Sequence, residues 1–492
     1  MKNIEIDVSE IKQICKKHGE NMDPLWVNIR DEFNLAHFSR SGGVSKRTGV
    51  GISSLFETAI AMPLFLVGTV HSFFSSGFKK VVESSQFAYY RFCQDSRFNW
   101  RGTMSEVSKF IRKREVETKL EAKYPSALII DDSALEKSGR RIEGISKIHN
   151  HCTGRKVTGY KLVMLGWFNG NYARTLDYSL TAEAKLKLKK GEQFSKERDF
   201  RSAGKKRINE LKKDKITLAC ELLGRAAKNG YVPDYTLVDS WYTCAQVINK
   251  ARSLKGGKSH FLGMVKPGKR LFTYNGNEYT LSQLRHAVMS EKKRCKRFRS
   301  SYIEVICDLK NVGRIKLFFS RFASNKKWVC LLTTDLEMSY IKAVETYGIR
   351  WNIEIIFKEC KQLLGLGKCQ ANDFDSQIAH TTSIFITHSI LAYYKYREDY
   401  QTLGELYRTI ESQYTGLLTI EKILFMLEEI LATVASKMGG LDNVSLYDVL
   451  NSPEYAALKQ GIRFSLFLSK NGNIDKATNN QEVTNENTEM TA

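Results

Sequence analysis

The sequence predicts a mixed α/β fold, a run of strands flanked on both sides by helical regions. Three observations predict it. The hydrophobic period is helical over residues 1 to about 118, becomes strand-like from Tyr124, and turns helical again from Met338. Between those limits the runs Tyr160–Trp167 and Tyr172–Leu180 flank Asn169-Gly170, a dipeptide suited to a tight hairpin. Two apolar runs also end on acids: Ala127-Leu-Ile-Ile130 enters Asp131-Asp132-Ser133, and Thr236-Leu-Val238 enters Asp239.

The bulk numbers narrow the function. A chain of 492 residues suits two to four domains, or one core with large additions. With 42% hydrophobic and 11% aromatic residues it can bury a core, which excludes wholesale disorder. The 76 Lys and Arg against 53 Asp and Glu leave a net charge of +23, which favours a polyanionic partner because each phosphate contact releases counterions. The ten cysteines form no C-x-x-C pair, the pattern of reduced thiols in a cytoplasmic protein. His149-Asn-His151-Cys152 lacks a second ligand cluster at finger spacing, so zinc is disfavoured. The apolar run Ala59–Phe74 is short for a membrane span and carries Pro63 and His71, so a buried helix pair is expected and no membrane partner.

Taken in order, the first region is helical and basic. Its segments Phe78–Asn99 and Thr103–Arg114 are amphipathic, and DNA contact is expected there, although no helix-turn-helix can be fixed. After the acid-bearing strand and the hairpin comes Lys185–Lys215, with thirteen Lys and Arg against five acids and no apolar run until Ile216. It reads as a mobile loop or arm suited to nucleic acid. A helix Ile216–Asn229, a strand ending on Asp239, a helix Cys244–Leu254 and a strand His260–Val265 follow. Residues to about Thr334 read as β-rich, with six cations packed into Lys292–Arg299. Beyond Met338 come helices around Glu354 and over Ser376–Tyr396, Gly404–Tyr414 and Glu421–Met438.

The stretch Tyr347–Lys361 puts Tyr347, Arg350, Glu354 and Lys361 within about 60° of one line on a helix surface. Ile353, Ile355, Ile356 and Phe357 would seat that helix on the core. On its own this charge pattern is ordinary. It gains meaning from Asp131 and Asp239, which stand 108 residues apart, with Glu354 a further 115 on. Three strands, a helix, a strand and a later acid-bearing helix is the order of a ribonuclease H-like core. Carboxylates at adjacent strand ends plus one on a nearby helix can hold two Mg²⁺ ions, hard cations that take oxygen ligands. The predicted divisions are a helical, DNA-binding region 1–118; the ribonuclease H-like core in two parts, 119–265 and 336–400; a β-rich insertion 266–335 between them; a helical region 401–470; and a disordered, Asn/Thr/Glu-rich tail 471–492.

Tyr347, Arg350, Glu354 and Lys361 meet every spacing of a Y-x2-R-x3-E-x6-K signature. With Asp131-Asp-Ser-Ala-Leu135 and Val238-Asp239-Ser-Trp241, the chain resembles DDE-type insertion-sequence transposases of the branch that carries this signature. The resemblance spans roughly residues 50 to 400. It implies cut-and-paste DNA transposition. Asp131, Asp239 and Glu354 would hold two Mg²⁺ ions, with Mn²⁺ an admissible substitute. Arg350 and Lys361 would grip phosphates, Tyr347 would donate to a phosphate or orient the strand, and Trp241 would stack on a displaced base or else pack in the core. The resemblance favours Asp131 over Asp132 as the first ligand, since the family block has a hydroxyl two residues on (Ser133) and a Leu four on (Leu135). Asp132 would then face solvent or support the site from behind. Expected partners are double-stranded DNA, as element ends and as target, and a second copy of the chain in the synaptic complex. The expected location is the bacterial cytoplasm, at the nucleoid when DNA is bound. A cleavage-inactive DNA-binding descendant of a transposase is the alternative, and a cellular nuclease a third reading.

Overall fold

A computed structural model describes residues 25–410, apart from 46–47, 66–68, 76–83, 119–120, 140, 151–152, 183–195 and 325–326, together with residue 453. The chain divides into two compact units. One joins Met1–Leu35 to Arg408–Ala492. Its described part includes helix α1, Leu25–Phe33, whose Trp26, Ile29 and Phe33 recur at helical spacing and are buried. The expected helix Glu421–Met438 and the tail 471–492 lie outside the described residues.

The second unit, Ala36–Tyr407, holds everything the site needs. It begins with helices α2 (Ile52–Ala61), α3 (Val70–Ser75), α4 (Gln86–Cys93) and α5 (Trp100–Glu117). Ser85 and Asn99 cap α4 and α5, accepting from Ala88 and Gly102 backbone N–H groups. The apolar run forms a broken pair of helices, as expected, and no helix among the described residues is long and apolar enough to cross a membrane. The eight described cysteines are free thiols.

Among the described residues twelve strands form one sheet. In chain order they are β1 (Ala127–Glu136), β2 (Ser146–Asn150), β3 (Arg155–Phe168), β4 (Ala173–Thr181), β5 (Tyr235–Val238), β6 (His260–Val265), β7 (Leu271–Tyr274), β8 (Asn277–Thr280), β9 (Lys293–Cys295), β10 (Ser300–Leu309), β11 (Gly313–Phe322) and β12 (Val329–Thr333). The hairpin β3–β4 turns at Asn169-Gly170, where Gly170 has φ 103°. β3 lies antiparallel to β1, which runs parallel to β5, itself parallel to β6. The β-rich segment then continues this sheet through β12, β11, β10, β7 and β8. Helices α7 (Lys215–Lys228) and α8 (Ala245–Arg252) share a core with one face of β1, β3, β5 and β6, through Leu128, Ile130, Val163, Leu218, Leu222, Val238 and Ile248.

Three sequence expectations need correction. The charged segment is not a loop throughout: helix α6, Ala203–Leu211, forms within it, capped by Ser202. Its Arg207 and Glu210 are buried with Asp177, and the half-buried Arg101 bridges Asp177 and Glu210, so those charges balance one another. β1 does not stop at the aspartates, because β3 continues to pair with it as far as Glu136 opposite Gly159. Nor is Tyr347–Lys361 one regular helix. A 3₁₀ turn, Ile349–Trp351, separates α10 (Tyr340–Gly348) from α11 (Asn352–Gln362), and Ile355 faces solvent while Ile353, Ile356, Phe357 and Cys360 are buried.

Helix α12, Phe374–Arg397, is buried over nearly its whole length. It packs on α2, α4, α5 and β4. Its hydroxyls tolerate that burial because Thr382, Ser383, Thr387 and Ser389 donate to carbonyls four residues back.

Candidate active site

The last parallel pair between β1 and β5 sets Ile130 opposite Val238. The next residue on each strand is an acid, Asp131 and Asp239, so both carboxylates leave the carboxyl edge of the parallel pair side by side. Beyond that edge β5 ends, and the Asp239 Oδ1 accepts from the backbone N–H groups of Trp241 (2.9 Å) and Tyr242 (3.2 Å). Two donors from a tight turn therefore fix the Asp239 carboxylate from behind.

Alternation along β1 then divides its side chains between two faces. Leu128, Ile130 and Asp132 look toward α7. Asp132 accepts from Lys215 (3.0 Å) and from the Tyr242 hydroxyl (3.0 Å), and pairs with Lys161 at 2.9 Å. Asp131 and Ser133 look toward α11. Arg350 Nη1 donates to Asp131 at 2.9 Å, and Lys361 donates to the Ser133 hydroxyl at 2.7 Å. Asp131 is thus the acid brought to the Glu354 helix. Asp132 is not solvent-facing as one expectation had it: its side chain is 7% exposed and held by two ammonium groups.

Arg350 joins the first and third acids. Its Nη2 donates to Glu354 at 2.6 Å, one helical turn on, while its Nη1 holds Asp131. Tyr347 lies under the same guanidinium, 5.7 Å from ring centre to Cζ. Burial pushes the Tyr347 phenol up to about 12, so it stays protonated and able to donate. Burial, aided by the negative charge of Asp239, pushes Asp131 up to about 7 despite its bond to Arg350. Burial is the larger cause, and the neighbouring carboxylate adds to it.

Among the described residues no group of three or more His, Cys, Asp or Glu side chains stands ready to hold a metal ion. The donor chemistry nevertheless suits a hard divalent cation. Every candidate ligand is a carboxylate oxygen, Asp131 feels the charge of Asp239, and a cation, the Arg350 guanidinium, already sits between Asp131 and Glu354. His149 lies on β2 and its carbonyl accepts from Lys161, while His151 and Cys152 lie outside the described residues.

Trp241 is not a core residue. It is 58% exposed, with the Lys215 ammonium 4.5 Å from its ring centre. Trp351 on the 3₁₀ turn is 59% exposed, so two large aromatic rings stand open on the segments that carry Asp239 and Arg350. The sequence alone assigns no individual role to Trp351, although Arg350-Trp351 extends the signature match, nor to Lys161 or Lys215. Lys161 had a signal: a lone cation within an apolar strand needs a buried acid partner. The cationic stretch Lys292–Arg299 is partly engaged, Lys293 with Glu304 at 2.7 Å and Arg297 with Glu345.

Two family models match the chain. Residues 79–265 match one described as DDE superfamily endonuclease, and residues 209–390 match one described as transposase DDE domain. The first interval contains Asp131 and Asp239, and the second contains Asp239 and Glu354. No curated protein matches the chain.

Proposed function

Because the chain belongs to the DDE-type transposases, we propose that it binds the terminal repeats of its own insertion sequence and catalyses cut-and-paste transposition, with Asp131, Asp239 and Glu354 as its catalytic acids. The observation that carries this reading is the shared edge: Asp131 and Asp239 in register on adjacent parallel strands, and Glu354 linked to Asp131 through Arg350. The strand order β4-β3-β1-β5-β6 supports a ribonuclease H-like core over 119–265 and 336–400, with 266–335 as its insertion; the basic helical region 1–118 would contribute DNA contacts.

Asp131, Asp239 and Glu354 would hold two Mg²⁺ ions, replaceable by Mn²⁺, which when bound lower the pKa of a water or hydroxyl and neutralise a leaving oxygen. The chain's own groups do the rest. The turn donors at Trp241 and Tyr242 keep the Asp239 carboxylate oriented. Arg350 and Lys361 grip phosphates of the element end, and the Tyr347 phenol donates to the strand being cut. Trp241 offers an exposed ring on which a base can stack. Attack of water on the end phosphodiester forms one P–O bond and releases a 3′ hydroxyl. Attack of that hydroxyl on target DNA again exchanges one P–O bond for another, so no nucleotide cofactor is consumed. Two copies of the chain would pair the two ends, on the nucleoid of a bacterial cytoplasm.

The test is to incubate purified protein with Mg²⁺ and a duplex carrying the element's end. Nicking at the end, followed by strand transfer into a plasmid, is expected. Binding without nicking would favour the alternative, a DNA-binding descendant that no longer cuts. Cutting without regard to terminal sequence would favour a cellular nuclease.

A further inference from the structure

Arg350 stands between two of the three proposed metal ligands. Its Nη1 takes the Oδ2 of Asp131 at 2.9 Å and its Nη2 takes the Oε1 of Glu354 at 2.6 Å. The side chain is 13% exposed and its Nε has no hydrogen-bond partner, so the guanidinium is committed to this pair of carboxylates. The same residue is proposed above to hold a DNA phosphate, and it cannot do both with the same fork of donors.

We infer that Arg350 is a built-in stand-in for the metal: it competes with the divalent cation for Asp131 and Glu354, and cation binding releases its fork to take a DNA phosphate. This rests on the metal-site reading given above. The argument is chemical. A planar guanidinium and a divalent cation seek the same carboxylate oxygens, and the two positive charges repel each other at that range. Without a counter-cation Asp131 and Glu354 would repel each other, so the fork also holds these two acids near one another before metal arrives. Once displaced, Arg350 stays a cation on the 3₁₀ turn beside the exposed Trp351, where a phosphate can replace the carboxylates as bidentate acceptor. Metal and DNA thus bind cooperatively through one side chain.

The experiment measures Mn²⁺ binding to the full chain without DNA, by calorimetry and by paramagnetic relaxation of water protons. Wild type is compared with Arg350→Ala and Arg350→Lys, each checked for an unchanged thermal transition. Lysine keeps the charge but lacks the rigid planar fork that gives each acid its own nitrogen. Competition by the fork predicts at least tenfold tighter Mn²⁺ binding in both variants. It further predicts that Mg²⁺ tightens binding of the end duplex to wild type several-fold more than to Arg350→Ala. Tighter binding in Arg350→Ala alone, with Arg350→Lys equal to wild type, would reduce Arg350 to a point charge and overturn the stand-in. Equal affinity in all three would overturn it while leaving the metal site intact. No Mn²⁺ binding by any of the three would remove the metal site itself, and the stand-in with it. Binding by the variants and not by wild type would support it most directly.

Discussion

Lys361 donates its ammonium to the Ser133 hydroxyl at 2.7 Å, tying the last turn of the Glu354 helix to the residue two beyond Asp131. If Lys361 also holds a phosphate, its charge matters more than this bond. Lys361→Ala is expected to weaken end binding and lower the slope of log K against log salt by about one. Ser133→Ala should leave that slope unchanged. Filter binding over roughly 50 to 200 mM salt would separate them. Equal slopes for wild type and Lys361→Ala would remove Lys361 from the DNA interface.

Glu354→Gln keeps the shape of the side chain but removes the charge proposed to hold metal. End cleavage should fall by about a thousandfold or more, while duplex affinity stays within a few-fold. Quantified nicking on a labelled duplex is the measurement. A variant that cuts at the wild-type rate would exclude Glu354 as a ligand.

Asp131 and Asp132 should differ sharply in stability. Asp132→Asn leaves Lys161 and Lys215 buried without their carboxylate, a loss on the order of 3 kcal/mol. Asp131 is costly to ionise where it sits, so Asp131→Asn should cost far less at pH 8 in the presence of EDTA. Urea unfolding of both variants decides this. Equal losses would mean that Asp131 is as tightly counterbalanced as its neighbour.

The exposed rings make a paired prediction. Trp241→Ala and Trp351→Ala should leave the thermal transition nearly unchanged, since each ring is more than half exposed. If a base stacks on one of them, its removal should weaken end binding by roughly 1–3 kcal/mol. Fluorescence quenching on adding the duplex identifies which ring is covered, and quenching of neither would remove both from the interface.

Buried titrating groups should shape the acid response of the second unit in two pH windows. Burial alone would raise Asp177 and Glu210, but Arg101 with Arg225 and Arg207 hold both at about 2. Their folded pKa lies below the unfolded one, so their stabilisation is complete above the ordinary carboxylate range and is lost as pH falls from about 4 toward 2. Burial lowers His380 to about 4, so its neutral form is favoured in the fold and its own contribution falls between about pH 6.5 and 4, while Asp131, raised to about 7, contributes in the opposite sense over nearly the same window. Each group contributes at most about 1.4 kcal/mol per pH unit within its window. Denaturant titrations across pH should show that acidification from about pH 6.5 to 4 costs His380→Gln less stability than wild type, and that acidification below about pH 4 costs Asp177→Asn less than wild type.

Much of the architecture was legible because the signals were local. The hairpin at Asn169-Gly170, the strand His260–Val265 and the helix beginning near Ile216 follow from turn chemistry and period alone. Alternation already implied that Asp131 and Asp132 serve opposite faces. It could not say that both faces are occupied, because Lys215 and Arg350 reach β1 from segments 83 and 219 residues away. Helix α6 was hidden for the same reason: Arg207 and Glu210 look like solvated charge until Arg101 and Asp177, far away in sequence, neutralise them. The 3₁₀ turn left no mark in a pattern that tolerates three or four residues per turn equally.

The burial of α12 has a consequence for how the protein is made. Its apolar surface is the partner of α2, α4, α5 and β4, all synthesised long before it. A ribosome that has passed Asp131 and Asp239 has produced two of the three acids, but neither Glu354 nor the mast that braces the early helices. Roughly four-fifths of the chain must emerge before Arg397 appears. An interrupted translation product would therefore carry unsheltered apolar helices and lack the third of the proposed catalytic acids, making it a substrate for proteases.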